Sequence, residues 1–80
     1  MNLSDLGREL RRRRVEQGIS QQLMADHLAI SRATINALET GRAGDVGVKK
    51  VMKMADYLGV ELCFRDKSPF PTFEELLNEP

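Results

Sequence analysis

Two short helical patterns joined by a tight turn occupy the middle of this chain and restrict what it can fold into. Ser20 and Ser31 each precede an apolar pattern of helical spacing, and a serine there caps a helix by accepting a backbone N–H of its first turn. The patterns predict helices over 21–28 and 32–40. Gly41 closes the second, because glycine adopts the left-handed cap conformation without a Cβ penalty. We expect the remaining chain to form a frame that holds the second helix at a fixed angle.

The two predicted helices have apolar faces that can pack against each other. One face of the first helix carries Met24, Ala25 and Leu28 at helical spacing. The matching face of the second carries Ile35 and Leu38. The opposite side of the second helix is short, polar and unobstructed, which suits a helix that enters the major groove of DNA. That side carries Arg32, Ala33, Asn36 and Ala37.

These four side chains have the chemistry of base readers. Arg32 can donate two hydrogen bonds to guanine, or bind a phosphate, and Asn36 can pair with adenine. Ala33 and Ala37 offer methyl groups to thymine. Only two of the four are strong hydrogen-bonding readers, so we expect specificity to come from two half-sites read by a dimer, or from DNA shape. A packing surface for another protein is the open alternative for this side.

Several residues in and near this stretch share a pattern with a known family. They are Arg14, Gln21, Ala25, Ile30, Ser31, Ile35, Leu38, Glu39, Gly41 and Arg42. The combination resembles the helix-turn-helix of the Cro/phage-repressor family, also called XRE, over about residues 6–59. Two positions depart from the family pattern. Ala29 stands where the family usually has glycine, at a cost on the order of 1 kcal/mol if its φ is positive, and Leu23 is apolar where a polar residue is usual.

The resemblance implies roles for three positions. A glutamine like Gln21 touches the duplex backbone in the family, and a helix N-terminus also favours a phosphate through its N–H groups. Arg14 and Glu39 match a pair that ties the first helix to the end of the recognition helix, so we expect them to be structural rather than DNA contacts. Thr34 and Arg42, in and just after the second helix, are further predicted phosphate contacts.

The charge of the chain is balanced overall but unevenly distributed. The chain holds 12 Lys and Arg against 12 Asp and Glu. Residues 1–65 hold 11 against 8, and residues 66–80 hold 1 against 4. The mildly basic body is compatible with a DNA partner and equally with an ordinary solvated surface. The run Arg11 to Arg14 cannot grip one phosphate strand, because successive side chains on a helix point in different directions.

The length of 80 residues predicts one small domain, near the size at which a single core is only just sufficient. We predict a mainly α fold of four to five helices, with a helix-turn-helix DNA-binding domain over residues 1–67. Its first helix is predicted over 4–17 with Ser4 or Asp5 as the cap, and its fourth over 48–58. The core face of the fourth is predicted to carry Val48, Val51, Met52, Ala55 and Leu58.

The apolar period changes after the fourth helix. Val60, Leu62 and Phe64 recur at every second position, which predicts a half-buried strand over 60–65. One strand without a partner would leave its backbone groups unpaired. Pairing with the same strand of a second copy about a two-fold axis solves this problem, so we expect a homodimer. A strand after the fourth helix also resembles the HipB-like antitoxin branch of the family.

Residues 68–80 form an acidic and apolar C-terminal tail. Thr72 and Glu75 have the spacing of a capping box, which predicts a short helix. The predicted short helix carries three large apolar side chains, Phe73, Leu76 and Leu77. They either dock on the dimer or bind another protein, and the sequence leaves both uses open. The apolar Leu23 is a further candidate for partner binding.

No group of residues in the sequence suggests catalysis. The chain has one His, one Cys and no glycine-rich phosphate loop, so we predict no enzyme activity, no metal site and no cofactor. A single cysteine excludes an internal disulfide. No apolar run suggests a signal peptide or reaches the length of a membrane span. We therefore expect a cytoplasmic protein with no membrane partner.

Three functions remain open at this point. The first is a sequence-specific repressor that binds a palindromic DNA operator as a homodimer. The second, implied by the resemblance to HipB-like antitoxins, adds the binding of a HipA-like kinase toxin and repression of the shared operon. The third is a protein-interaction module that has kept the fold and lost DNA binding.

Overall fold

The computed structural model describes residues 2–66, and these form four helices. They are α1 (Leu3–Glu16), α2 (Gln21–Leu28), α3 (Arg32–Glu39) and α4 (Val48–Tyr57). α3 packs against both α1 and α2, and α4 packs against α2. The mainly α fold is therefore confirmed, and each predicted helix end lies within one residue of the observed end.

The turn between α2 and α3 forms as its cap residues predict. Ser20 Oγ accepts the Leu23 N–H at 3.0 Å, and Ser31 Oγ accepts the Thr34 N–H at 3.0 Å. Ala29 ends α2 with φ 56° and ψ 42°, the left-handed conformation in which glycine is usual. The two helices are thus started and stopped by local contacts alone.

α1 begins one residue earlier than predicted, and the predicted caps Ser4 and Asp5 are wrong. Asn2 is the N-cap, and its Oδ1 accepts the Asp5 N–H at 2.8 Å. Asp5 Oδ2 in turn accepts the Asn2 N–H at 3.3 Å. This reciprocal box satisfies two backbone donors at once, which a cap at either predicted position would not do.

A single core receives at least one fully buried side chain from every helix. These side chains are Leu10, Met24, Ile35, Leu38 and Met54. Ala43 and Val46, in the connection between α3 and α4, pack against the same core. The connection therefore helps to fix α4 relative to the first three helices.

The predicted core face of α4 is partly wrong. Val48 and Met52 are 70% and 55% exposed, whereas Met54, which the pattern left out, is fully buried. The buried stripe consists of Val51, Met54, Ala55 and Leu58. Two overlapping stripes of this helix have helical spacing, and the packing of α4 against α2 selects the one that contains Met54.

The strand predicted over 60–65 is not formed within the described residues. The Val60 N–H donates to the Ala55 carbonyl at 2.9 Å, so this segment starts as a continuation of the α4 cap. Leu62 and Phe64 are 47% and 106% exposed rather than half-buried. A strand requires a neighbouring strand for its backbone groups, and a single copy of the chain provides none.

The predicted tail helix and its apolar side chains Phe73, Leu76 and Leu77 lie outside the described residues. Among the helices of residues 2–66, none combines the length and the apolar character that a membrane crossing requires.

Candidate nucleic-acid interface

One side of α3 is buried in the core and the other is accessible to solvent. Its core side is fully buried at Ile35 and Leu38. The four predicted base-reading positions lie on the accessible side, where Arg32 and Ala33 are exposed and Asn36 and Ala37 are half-buried. The arrangement follows from the helical repeat, which places these four positions on the arc that faces away from the core.

A buried ion pair joins α1 to the end of α3. Arg14 Nε and Nη2 donate to Glu39 Oε2 and Oε1 at 2.7 and 2.9 Å. The two side chains are only 9% and 1% exposed. Arg14 Nη1 also donates to the Ile19 carbonyl at 2.6 Å. This two-point geometry fixes the end of α3 at one distance from α1, which is the structural role that the sequence suggested.

Gln21 connects the ion pair to the accessible side of α3. Its Nε2 donates to Glu39 Oε1 at 2.9 Å and to Asn36 Oδ1 at 3.3 Å. Its Oε1 accepts a hydrogen bond from Arg32 Nε at 3.4 Å. One side chain at the start of α2 therefore bridges both hydrogen-bonding readers and ties them to the buried carboxylate.

This network changes how Gln21 would contact a phosphate. Both amide N–H groups of its side chain are engaged within the protein. The backbone N–H of Gln21, by contrast, lies in the first turn of α2, where N–H groups have no intrahelical acceptor. The backbone is thus the better donor to a DNA phosphate, and the side chain positions the readers.

The two readers keep the atoms that base recognition needs. Asn36 Oδ1 accepts one hydrogen bond from Gln21 and has a second lone pair for an adenine amino group. Arg32 uses its Nε toward Gln21, and its two terminal nitrogens form the end that can pair with guanine.

The two other predicted phosphate contacts lie toward opposite ends of α3. The Thr34 hydroxyl shares a 2.7 Å hydrogen bond with the Ser31 hydroxyl at the start of the helix. Just past the end, Arg42 is exposed, and its Nε donates to Thr40 Oγ1 at 3.1 Å. This bond restrains the Arg42 cation beside the end of α3, where it is free of any carboxylate partner among the described residues.

Gly7 is a positioning residue that the sequence pattern did not reveal. A Cβ at this position of α1 would lie 1.9 Å from the Leu38 carbonyl oxygen in α3. Only glycine therefore allows α1 to lie this close to α3. The sequence did contain a sign of this role. A glycine inside a helix destabilises it by about 0.5–1 kcal/mol relative to alanine, so Gly7 within a predicted helix indicates a close contact.

Comparison with known proteins identifies the fold around this site. A family model described as "Helix-turn-helix domain" matches residues 5–66. The chain belongs to this helix-turn-helix family. It is similar to the SPbeta prophage-derived uncharacterized HTH-type transcriptional regulator YonR of Bacillus subtilis (strain 168). The two sequences are 37% identical over 76 residues, which cover 92% of this chain and 69% of YonR.

The arginine run of this helix-turn-helix protein divides into the structural Arg14, two arginines in surface ion pairs, and the exposed Arg11. Arg12 contacts both Glu9 and Glu16, the latter at 2.8 Å, and Arg13 Nε donates to Glu9 at 2.9 Å. The hydrogen bond from Arg12, supported by the one from Arg13, holds the pKa of the Glu9 carboxyl below its ordinary value. The run as a whole is therefore not a basic strip for DNA.

The single histidine links two helices. His27 Nδ1 and the Tyr57 hydroxyl lie 2.7 Å apart, which joins α2 to α4. Within residues 2–66, no three His, Cys, Asp or Glu side chains are grouped as metal ligands are.

The residues predicted for dimer and partner contacts are separated in the fold. Leu23, on α2, is 43% exposed. Val60 packs partly against the core, and Val60 and Leu62 line a groove beside α4. Phe64 is fully exposed.

Proposed function

We propose that this chain is a sequence-specific DNA-binding regulator of transcription that acts as a repressor in the cytoplasm. The observation that carries the proposal is the pairing of Arg32 and Asn36 on the accessible side of α3, both bonded to Gln21. Membership of the helix-turn-helix family and similarity to a protein named as a transcriptional regulator support it. The proposed function involves no catalysis and no cofactor.

In this proposal α3 is the recognition helix and lies in the major groove. Arg32 pairs with guanine and Asn36 with adenine, each worth about 1–3 kcal/mol of discrimination against a wrong base. Ala33 and Ala37 contact thymine methyl groups. The backbone of Gln21, the Thr34 hydroxyl and the Arg42 cation bind phosphates and so set the register of the helix on the duplex.

We further propose that the protein binds a palindromic operator as a homodimer, because two strong readers specify few base pairs. The DNA-binding part comprises residues 1–67, and the dimer contact is the segment 60–65. The full exposure of Phe64 supports this contact, since burying a phenylalanine contributes about 1.5–3 kcal/mol. The two recognition helices would then enter successive major grooves about 34 Å apart.

Selection from a pool of duplexes with a random core, using the full chain, tests the reading face. We expect an inverted repeat whose half-sites are about 10 base pairs apart. Arg32→Ala and Asn36→Ala should each weaken binding by about 5- to 150-fold per half-site, which is about 25- to 20,000-fold for a dimer on the selected duplex, and should relax preference at one position per half-site. Arg11→Ala is the matched control, because Arg11 is an exposed arginine on α1 rather than on α3.

Unchanged affinity and unchanged base preference in both variants would refute the assignment of readers. If the chain does not bind even random duplex DNA at low salt, the protein-interaction module that has lost DNA binding is the correct function.

Phe64→Ser tests the dimer contact, and it should convert the protein to a monomer in sedimentation experiments. A Phe64→Ser protein that remains dimeric would exclude this contact.

A second candidate role is binding of a toxin, as in HipB-like antitoxins that bind a HipA-like kinase. The exposure of Leu23 on α2 favours a partner contact there. Affinity purification of the full chain from its native cells should then recover a kinase-like chain in stoichiometric amount. Leu23→Ser should reduce that recovery and leave operator binding intact. A clean homodimer without a kinase would remove this role.

A further inference from the structure

A groove with an apolar floor runs between α4 and the segment that follows it. Its volume is about 400 Å³, and Met52, Val60 and Leu62 line it. Met52 and Leu62 are 55% and 47% exposed. Within residues 2–66, no side chain covers this floor, so the groove can accept an apolar segment.

The groove also has a distinct charge pattern. Lys49 and Lys53, one turn apart on α4, form a row along its edge. Both are exposed, and Lys53 Nζ also donates to the Leu28 carbonyl at 3.3 Å. Asp56 and Glu61 line the groove as well, so its charged lining is two lysines and two carboxylates. The groove thus suits a segment with large apolar side chains, and its two lysines can each pair with an acidic neighbour of those side chains.

We propose that this groove binds residues 72–77 of the same chain. The apolar anchors of that segment are Phe73, Leu76 and Leu77, whose spacing places them on one side of a helical turn. Glu74 and Glu75 supply the negative charge that the lysine row attracts. The segment therefore matches the groove in apolar character and offers two carboxylates to its two lysines.

The connection between groove and segment is long enough for this docking. The groove wall ends at residue 62, and residues 67–72 alone can span about 20 Å when extended. α4 has 10 residues and is about 15 Å long, which is less than this span. Attachment to the same chain also gives an effective concentration on the order of millimolar, which favours this occupant over a free partner.

The docked segment is separate from the DNA-reading side of α3. No base-reading or phosphate-contacting position lines the groove. The inference therefore goes beyond the proposed DNA reading, and each can fail without the other. Val60 and Leu62 also belong to the proposed dimer contact, which Phe64→Ser tests separately.

Paramagnetic relaxation enhancement on the full chain tests the docking. The native Cys63 is exposed, so Cys63→Ser combined with Asn78→Cys gives a single attachment site for a nitroxide label beside the segment. We expect the label to remove most of the amide signal intensity at Lys49, Met52 and Lys53, and to leave Arg8 and Arg12 on α1 unchanged.

Two sets of variants separate specific docking from chance proximity. Leu76→Ser with Leu77→Ser should restore the α4 signals, since it removes two anchors. Lys49→Glu with Lys53→Glu should restore them as well, and adding Glu74→Lys with Glu75→Lys should bring the signal loss back. All these groove positions are exposed, so an unchanged amide spectrum for α1 and α3 verifies that the fold is intact.

Two results would overturn the proposal. One is the absence of selective signal loss on α4. The other is signal loss on α4 of isotope-labelled chains that carry no nitroxide, when they are mixed with nitroxide-labelled chains at natural isotope abundance. That second result would assign the groove to the tail of a second copy.

Discussion

Ala29 holds a left-handed backbone conformation that only glycine adopts without penalty. An alanine in this conformation costs about 1–2 kcal/mol of strain, which glycine would relieve. Glycine loses more conformational entropy than alanine on folding, and this offsets about 0.5–1 kcal/mol of the gain. We expect Ala29→Gly to stabilise the fold by about 0.5–1 kcal/mol. Each kcal/mol should raise Tm by about 4–8 °C. Ala33→Gly, inside α3, should instead destabilise by about 1 kcal/mol. Thermal unfolding measures both, and a lower Tm for Ala29→Gly would contradict the strain at this turn.

Glu9 makes the stability of α1 sensitive to acid. The hydrogen bond from Arg12 lowers the pKa of Glu9 in the folded protein. The contribution of Glu9 to folding stability is therefore present above its unfolded-state pKa and is lost as the pH falls through its folded-state pKa. We expect Arg12→Ala to raise the pKa of Glu9 toward its ordinary value in a carbon-detected NMR titration. Arg11→Ala removes an arginine that makes no ion pair with Glu9 and should leave the titration unchanged.

At the scale of whole elements, the distance between α1 and α3 depends on Gly7. A methyl group there would overlap the Leu38 carbonyl oxygen, so the two helices must separate. We expect Gly7→Ala to destabilise the fold by about 1–3 kcal/mol in chemical denaturation. Gly44→Ala is the matched control, because a Cβ at Gly44 meets nothing within 4 Å, and its effect should be small. Equal effects of the two variants would show that this close approach is not what holds the helices.

The rotation of α4 about its own axis is set by Met54. Met54 is fully buried, whereas Val48, which the apolar pattern placed in the core, is 70% exposed. We expect Met54→Ala to cost about 2–5 kcal/mol of unfolding free energy and Val48→Ala at most about 0.5 kcal/mol. Chemical denaturation of the two variants checks the assignment, and the reverse order would mean that α4 is rotated relative to the structure.

For the molecule as a whole, the proposed DNA binding rests on few cations. Arg42 is one of two arginines proposed to contact the duplex in each copy, and each phosphate that a protein neutralises contributes about −0.9 to the slope of log K against log salt. We expect Arg42→Ala to reduce the slope by about 1.8 if the protein binds as a dimer and by about 0.9 if it binds as a monomer. Fluorescence anisotropy with the selected duplex measures the slope over a series of salt concentrations. Arg11→Ala should leave it unchanged, and an unchanged slope for Arg42→Ala would remove this phosphate contact.

Several local features of this protein can be predicted from the order of its residues, although the cap of α1, Asn2, was not. Ser20, Ser31 and Ala29 act on backbone groups within a few positions of themselves, so the ends of α2 and α3 follow from the sequence. The accessible side of α3 follows in the same way, because the helical repeat alone separates Arg32 and Asn36 from the buried side chains.

Other features depend on how distant elements meet, and no local pattern contains that information. Met54 rather than Met52 is buried because of the way α4 packs on α2, and Gly7 is required because α1 approaches α3. Gln21 bridges Arg32 and Asn36 only because α2 and α3 are placed side by side. The segment 60–65 differs again, since a strand there requires backbone partners that a single copy does not contain.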